Sequence, residues 1–202
     1  MTKTESTSFV SIHGGHSRFG DGAGELEEIA EAYAAKGFEW VGLTEHIPPV
    51  SERHLFSHHV EQGETPASLL ELFAEYFEVA RRLQKEYRDR LRIFVGFETE
   101  CYTGYVSHVE RLRSRFKPDY IVGAVHHVRD ITIDWKPETY AEAAEAVGVL
   151  DALYCEYFDQ QFGLLEVLQP EVVGHFDLIR MHDKDYRQRI EKPEIRDRNA
   201  SS

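Results

Sequence analysis

Five times in this chain of 202 residues a short apolar run of strand type ends, within a residue or two, on a histidine or a glutamate. Phe9-Val10-Ser11-Ile12 leads into His13-Gly14-Gly15-His16, and Trp40-Val41-Gly42-Leu43 leads into Thr44-Glu45-His46. The run from Leu91 to Val95 passes through Gly96-Phe97 to Glu98, that from Tyr120 to Val125 meets His126-His127, and Val172-Val173-Gly174 meets His175. Parallel strands put all their C-terminal ends on one side of a sheet, so side chains in these positions converge. Imidazoles and carboxylates brought together in this way suit a polynuclear metal site. A single histidine after a strand is ordinarily a hydrogen-bonded loop residue; five in register point to a metallohydrolase.

The segments between the runs have helical periodicity. Leu26, Ile29 and Tyr33 share one face of a helix over Glu25 to Lys36, with Gly37 as its stop. From Pro66 to about Arg90 an apolar stripe runs through Leu69, Leu72, Phe73, Tyr76, Phe77, Ala80, Leu83 and Tyr87, and Pro66 fits a first helical turn. A shorter helix is expected over Ser107 to Phe116, and a long one from Pro137 to about Leu168, broken near Gly148 or Gly163. Strand and helix thus alternate throughout, which predicts an α/β fold with parallel strands and right-handed crossovers. Ile47 to Thr65, with Pro48-Pro49 and Gly63, reads as a long loop over the strand ends. After His175 the chain turns polar, and Met181 to Asn199 is dense in charge. Five strands do not close a barrel: either the sheet stays open, with exposed edges that favour self-association, or the chain stops before its fold is complete.

The net charge of −13 leaves no general basic face for nucleic acid or an anionic membrane. A small phosphorylated metabolite remains compatible, because bound cations would supply the positive charge that the surface lacks. With two cysteines, Cys101 and Cys155, no disulfide framework is implied. Met1 to Ser8 lacks the apolar core of a secretory signal, and no stretch reaches the roughly 20 apolar residues of a membrane span. A cytoplasmic setting is expected.

The strand-end motifs resemble those of the polymerase and histidinol phosphatase (PHP) family, most closely its histidinol-phosphatase branch, over about Val10 to Ile195. Leu43-Thr44-Glu45-His46-Ile47-Pro48-Pro49 resembles the family's second motif, Gly96-Phe97-Glu98 its third, Gly123 to Val128 its fourth and Val173 to Arg180 its fifth. The resemblance implies a distorted (β/α)7 TIM-like barrel and two or three divalent metals of zinc, manganese or iron. It makes residues 1–202 one PHP domain, with the motifs inside 9–180 and with 181–202 as a charged tail or the start of a further helix.

Carried over by position, His13 and His16 stand for the opening histidine pair, here with one extra glycine between them, and share a first metal with Glu98. Glu98 would bridge to a second metal completed by His126 and His175, and His46 would belong to a third. Glu98, His126 and His175 then carry catalysis through a hydroxide held by the metals, the in-line nucleophile for a phosphate monoester. Two departures stand out. Where the family has a further ligand after the opening pair, this chain offers only Asp21. No Asp-x-His motif follows His175, since His182-Asp183 comes too soon, so the chain resembles a C-terminally shortened member.

Other polar residues have plainer readings. Asp21, between glycines, also suits a turn. His127 suits packing or orienting a neighbour, and His54, His58 and His59 suit a solvated loop, with contact to substrate as the alternative. Strand alternation is expected to point Glu45 and Glu100 away from the ligands beside them. Arg180 could clamp a phosphate or open the charged tail, and Asp134-Trp135 could hydrogen-bond and stack a substrate imidazole. The function implied is a histidinol-phosphatase of histidine biosynthesis. Its rivals are another PHP-type phosphoesterase and an inactive metal-binding fragment.

Overall fold

The computed structural model describes residues 9–201, with side chains as far as residue 198; the polar segment Met1 to Ser8 lies outside them. In chain order β1 (Phe9–Ser11) precedes α1 (Leu26–Ala35), and β2 (Phe38–His46) precedes α2 (Ser57–Glu61) and α3 (Pro66–Glu86). β3 (Arg92–Glu98), α4 (Tyr105–Phe116) and β4 (Tyr120–Gly123) follow, then a hairpin of β5 (His127–Val128) and β6 (Ile131–Thr132). The chain continues through α5 (Pro137–Ala146), α6 (Leu150–Leu168), β7 (Val172–Val173), α7 (Tyr186–Arg189) and α8 (Pro193–Ser201). β1, β2, β3, β4 and β7 form one parallel sheet in that order. This is the expected α/β architecture, and the sheet stays open, with β1 and β7 at its edges. Phe9, Val10 and Ile12 at one edge, and Val173 at the other, remain about half exposed.

The helices form where their patterns place them. Thr65 caps α3 by accepting from the Ser68 amide at 3.1 Å, and Pro66 opens the first turn. Phe73, Tyr76, Phe77, Ala80 and Leu83 of α3 are buried at helical spacing. The Tyr76 hydroxyl lies 2.6 Å from the Leu43 carbonyl and 2.8 Å from that of Gly96, which ties α3 across β2 and β3. Gly37, at φ +76°, ends α1 as expected. The long helical stretch breaks at Gly148, at φ +101°, and not at Gly163, whose missing Cβ would meet open space inside α6.

Three expectations need correction. Strand and helix do not alternate throughout, because the chain leaves the sheet after Gly123 and turns back in the antiparallel β5–β6 hairpin. The Ala124 amide donates to the Thr99 hydroxyl at 3.0 Å instead of extending β4. Arg129 and Asp130 both adopt positive φ, the conformation of a two-residue hairpin turn. The Asp130 carboxylate also accepts from the Thr103 amide and hydroxyl, at 2.6 and 2.8 Å, and pairs with Arg53. Second, the stretch 47–65 carries a turn of 3-10 helix and α2 and is not a bare loop. Third, of the two readings of 181–202 the free charged tail gives way, because the segment forms α7 and α8 and packs back on α6. Ile195 is buried, Arg189 and Lys192 pair with Asp151, and buried Asp183 accepts from Arg189 at 2.6 Å.

Candidate metal centre

His46 and Glu98 are direct register partners at the ends of β2 and β3, so both side chains leave the sheet at one level. His126 follows β4 by three residues, and His175 follows β7 by two. His13 and His16 come from the loop after β1. The extra glycine is accommodated there by positive φ at Gly14 (+128°) and Gly15 (+77°), where a side chain would be strained. Thr44 anchors this loop: its amide donates to the Gly14 carbonyl at 3.2 Å and its hydroxyl lies 2.7 Å from His13 Nδ1.

The fully buried Glu98 carboxylate is the hub. Its Oε1 lies 2.6 Å from His175 Nε2, 3.3 Å from His126 Nε2 and 3.4 Å from His13 Nε2. Its Oε2 lies 3.4 Å from His46 Nδ1 and 3.7 Å from His16 Nε2. The two oxygens thus divide five imidazoles into two sets, the geometry a bridging carboxylate requires. The division differs from the one implied by resemblance: His13 sides with His126 and His175, and His16 with His46. Asp21 stands at the rim, half exposed, 3.8 Å from both His16 Nδ1 and His46 Nε2.

Glu100 departs from expectation. It is buried, and its carboxylate lies 2.9 Å from His46 Nδ1 and 3.1 Å from the Nδ1 atoms of His126 and His127. Alternation has period two, so residue 100 returns to the side of residue 98; the reasoning that turns Glu45 from His46 does not transfer. Glu45 is buried as well, accepting from the Ser17 amide and hydroxyl at 2.7 and 2.6 Å, and so holds the loop that carries His16. His54 is not a solvated loop residue: it stacks on Tyr102 at 4.4 Å between ring centroids. His58, His59, Asp134 and Trp135 line a cavity of about 550 Å³ whose other wall includes Asp21, His46, Glu100 and His126. Arg180 does not line it; it is exposed and paired with Asp177.

The charge states follow from this crowding. Burial opposes ionisation of Glu98, but the fields of His46 and His126 outweigh it and hold the carboxyl well below the usual carboxylate range. Glu100 behaves likewise, with His126 the largest favourable influence. Burial alone would lower His46, yet Glu98 and Glu100 push it up to about 9, and the same two carboxylates raise His126.

The donor set fits divalent cations. His16 Nδ1, His46 Nδ1, Glu98 Oε2, Glu100 Oε2, His126 Nδ1 and His175 Nδ1 are buried without a hydrogen bond, although several lie close to one another. Each such group is costly unless something satisfies it, by about 1–3 kcal/mol. His13, Glu98 and His175 form one group whose ligand atoms lie within 4.8 Å of one another; so do His16, His46 and Glu98, and His46, Glu100 and His126. Imidazole nitrogens with carboxylate oxygens suit zinc, iron or manganese.

The family model described as PHP domain matches residues 12–197. A protein of Schizosaccharomyces pombe named "Probable histidinol-phosphatase" is 37% identical over 158 residues, covering 77% of this chain and 51% of that protein. The histidinol-phosphatase of Saccharomyces cerevisiae is 26% identical, covering 84% and 56%. The chain therefore spans about half the length of these relatives. The crystal structure of histidinol phosphate phosphatase from Lactococcus lactis, complexed with zinc, L-histidinol and phosphate, superposes with a TM-score of 0.61 at 22% identity, covering 84% of this chain and 58% of that one. The hisK crystal structure from Listeria monocytogenes gives 0.66 at 20%, covering 86% and 67%, and both share the fold of this chain.

Proposed function

The chain belongs to the PHP domain family, and on that premise we propose that it is a metal-dependent phosphomonoesterase acting on L-histidinol phosphate, in a cytoplasmic step of histidine biosynthesis. The observation that carries this reading is the Glu98 carboxylate, whose two oxygens each face a separate set of imidazoles. Two or three divalent ions, held by His13, His16, Asp21, His46, Glu98, His126 and His175, would supply Lewis acidity and an activated water. Glu98, His126 and His175 are the residues that place this chemistry. The described chain acts as one PHP domain, with α7 and α8 packed against α6.

The rest of the cavity fits the alcohol. With phosphate at the metal wall, the organic group reaches Trp135, His58 and Phe56, whose rings lie 5.5 to 5.8 Å apart. Asp134 lines the same side and offers a carboxylate to an imidazole or an ammonium group. Leu69 and Leu72 make part of the wall apolar, which excludes water from the bound ester. The test is phosphate release from L-histidinol phosphate by the chain loaded with zinc, manganese or iron, beside p-nitrophenyl phosphate. Turnover that favours histidinol phosphate and stops with chelator is expected. A folded, metal-loaded chain that hydrolyses p-nitrophenyl phosphate but not histidinol phosphate refutes the substrate; one that hydrolyses neither refutes the activity.

A further inference from the structure

Glu100 takes no part in the bridge at Glu98, yet it is a buried acid of the centre, 6% exposed. Three imidazoles approach it, all by Nδ1: His46 at 2.9 Å from Oε1, and His126 and His127 each at 3.1 Å from Oε2. His126 is held at both ends. Its Nδ1 faces Glu100, while its Nε2 lies 3.3 Å from Glu98 Oε1 and 3.2 Å from His175 Nε2.

A neutral imidazole carries one ring proton, and a metal takes the nitrogen without it. The partner at the far nitrogen decides which one that is. A carboxylate beside Nδ1 draws the proton there and leaves the Nε2 lone pair facing the Glu98 oxygens. His127, buried and close to the same carboxylate oxygen, braces Glu100 from the side away from the centre. We propose that Glu100 is a positioning residue that fixes His126 as the Nδ1–H tautomer, so that Nε2 is presented to the cation held at Glu98. This rests on the reading of the Glu98 cluster as a metal centre. Glu100 Oε2 is close to both rings without hydrogen-bond alignment, so direct ligation by Glu100 is the rival that the test must separate.

Glu100→Gln keeps the volume and removes the charge. Three readouts are taken on the full chain: zinc ions per chain, zinc affinity by competition with a chromophoric chelator, and the His126 tautomer by long-range proton–nitrogen NMR of the zinc-loaded protein. The expected result is an unchanged number of ions, affinity weaker by about ten- to a hundredfold, and loss of the single Nδ1–H pattern of His126. Loss of a whole ion overturns the proposal in favour of ligation. Affinity and tautomer both unchanged overturn it in favour of a merely structural acid. If Glu100→Gln does not fold, the wild-type spectrum decides: Nδ1–H on His126 upholds the proposal and Nε2–H overturns it. A wild-type chain that binds no zinc overturns the metal centre along with it, whereas zinc binding indifferent to Glu100→Gln leaves the centre standing and removes only this inference.

Discussion

Gly42→Ala should destabilise the chain well beyond what an added methyl group does in an ordinary strand. Gly42 lies mid-strand in β2, and a Cβ there would sit 1.7 Å from the Tyr120 hydroxyl and 2.8 Å from the Ile12 carbonyl. The Tyr120 hydroxyl donates to that carbonyl at 2.5 Å, tying the start of β4 to the residue just before His13. The methyl group and the hydroxyl exclude each other, so the ring must swing and the hydrogen bond is lost. The bond contributes about 1 kcal/mol, and overpacking adds about 1–3 kcal/mol. Replacing glycine in a strand returns about 0.5–1 kcal/mol, which leaves a net cost of about 1–3.5 kcal/mol. Urea unfolding of the metal-free chain measures it as a shift in midpoint. A double-mutant cycle tests the cause, since with Tyr120→Phe the nearest obstacles retreat to 2.8 and 2.9 Å. The cost of Gly42→Ala should then fall by at least about 1 kcal/mol. A cost under about 0.5 kcal/mol, or strict additivity with Tyr120→Phe, refutes the reasoning.

Glu98→Gln should release cations from both sets of imidazoles, read as zinc per chain after buffer exchange; retention of the wild-type number means Glu98 is no bridge. His46 is opposed by burial but raised by Glu98 and Glu100 to about 9, so at neutral pH a cation must displace its proton. Zinc affinity should therefore climb about tenfold per pH unit from 7 towards 9, with proton release seen by calorimetry in two buffers, and a flat profile counts against it. By the same linkage, the extra stability that protonated His46 gives the metal-free fold is complete below its ordinary value of 6.5 and is lost as pH rises through about 9. Trp135→Ala should lower kcat/KM for histidinol phosphate roughly tenfold through lost stacking. It should leave p-nitrophenyl phosphate less affected, and an equal loss on both substrates would move Trp135 out of the specificity wall.

The family, the parallel pairing of the strands and most of the residues that converge on the centre are legible in the sequence because they depend on local rules. An apolar run of strand length places the residue after it at a known end, so His46, Glu98, His126 and His175 converge wherever the strands pair in parallel. Period-two alternation, applied to residue 100 as it was to residue 45, would also have found Glu100 on the side of Glu98. Helix boundaries at Thr65-Pro66 and Gly37 follow equally from capping and backbone preference.

Which imidazole faces which oxygen of Glu98 is another matter. It depends on how the Gly14-Gly15 turn folds over β2, where Thr44 and Glu45 catch the loop across a separation of about thirty residues. The same holds for His54, which looks solvated by composition but is drawn in by Tyr102 and Asp130, and for the charged tail, whose arginines meet acids on α6. Residue type and spacing along the chain decide which side chains reach this centre. Only packing between segments distant in sequence decides their pairing, because ion pairs and ring contacts act through space and leave no period in the sequence.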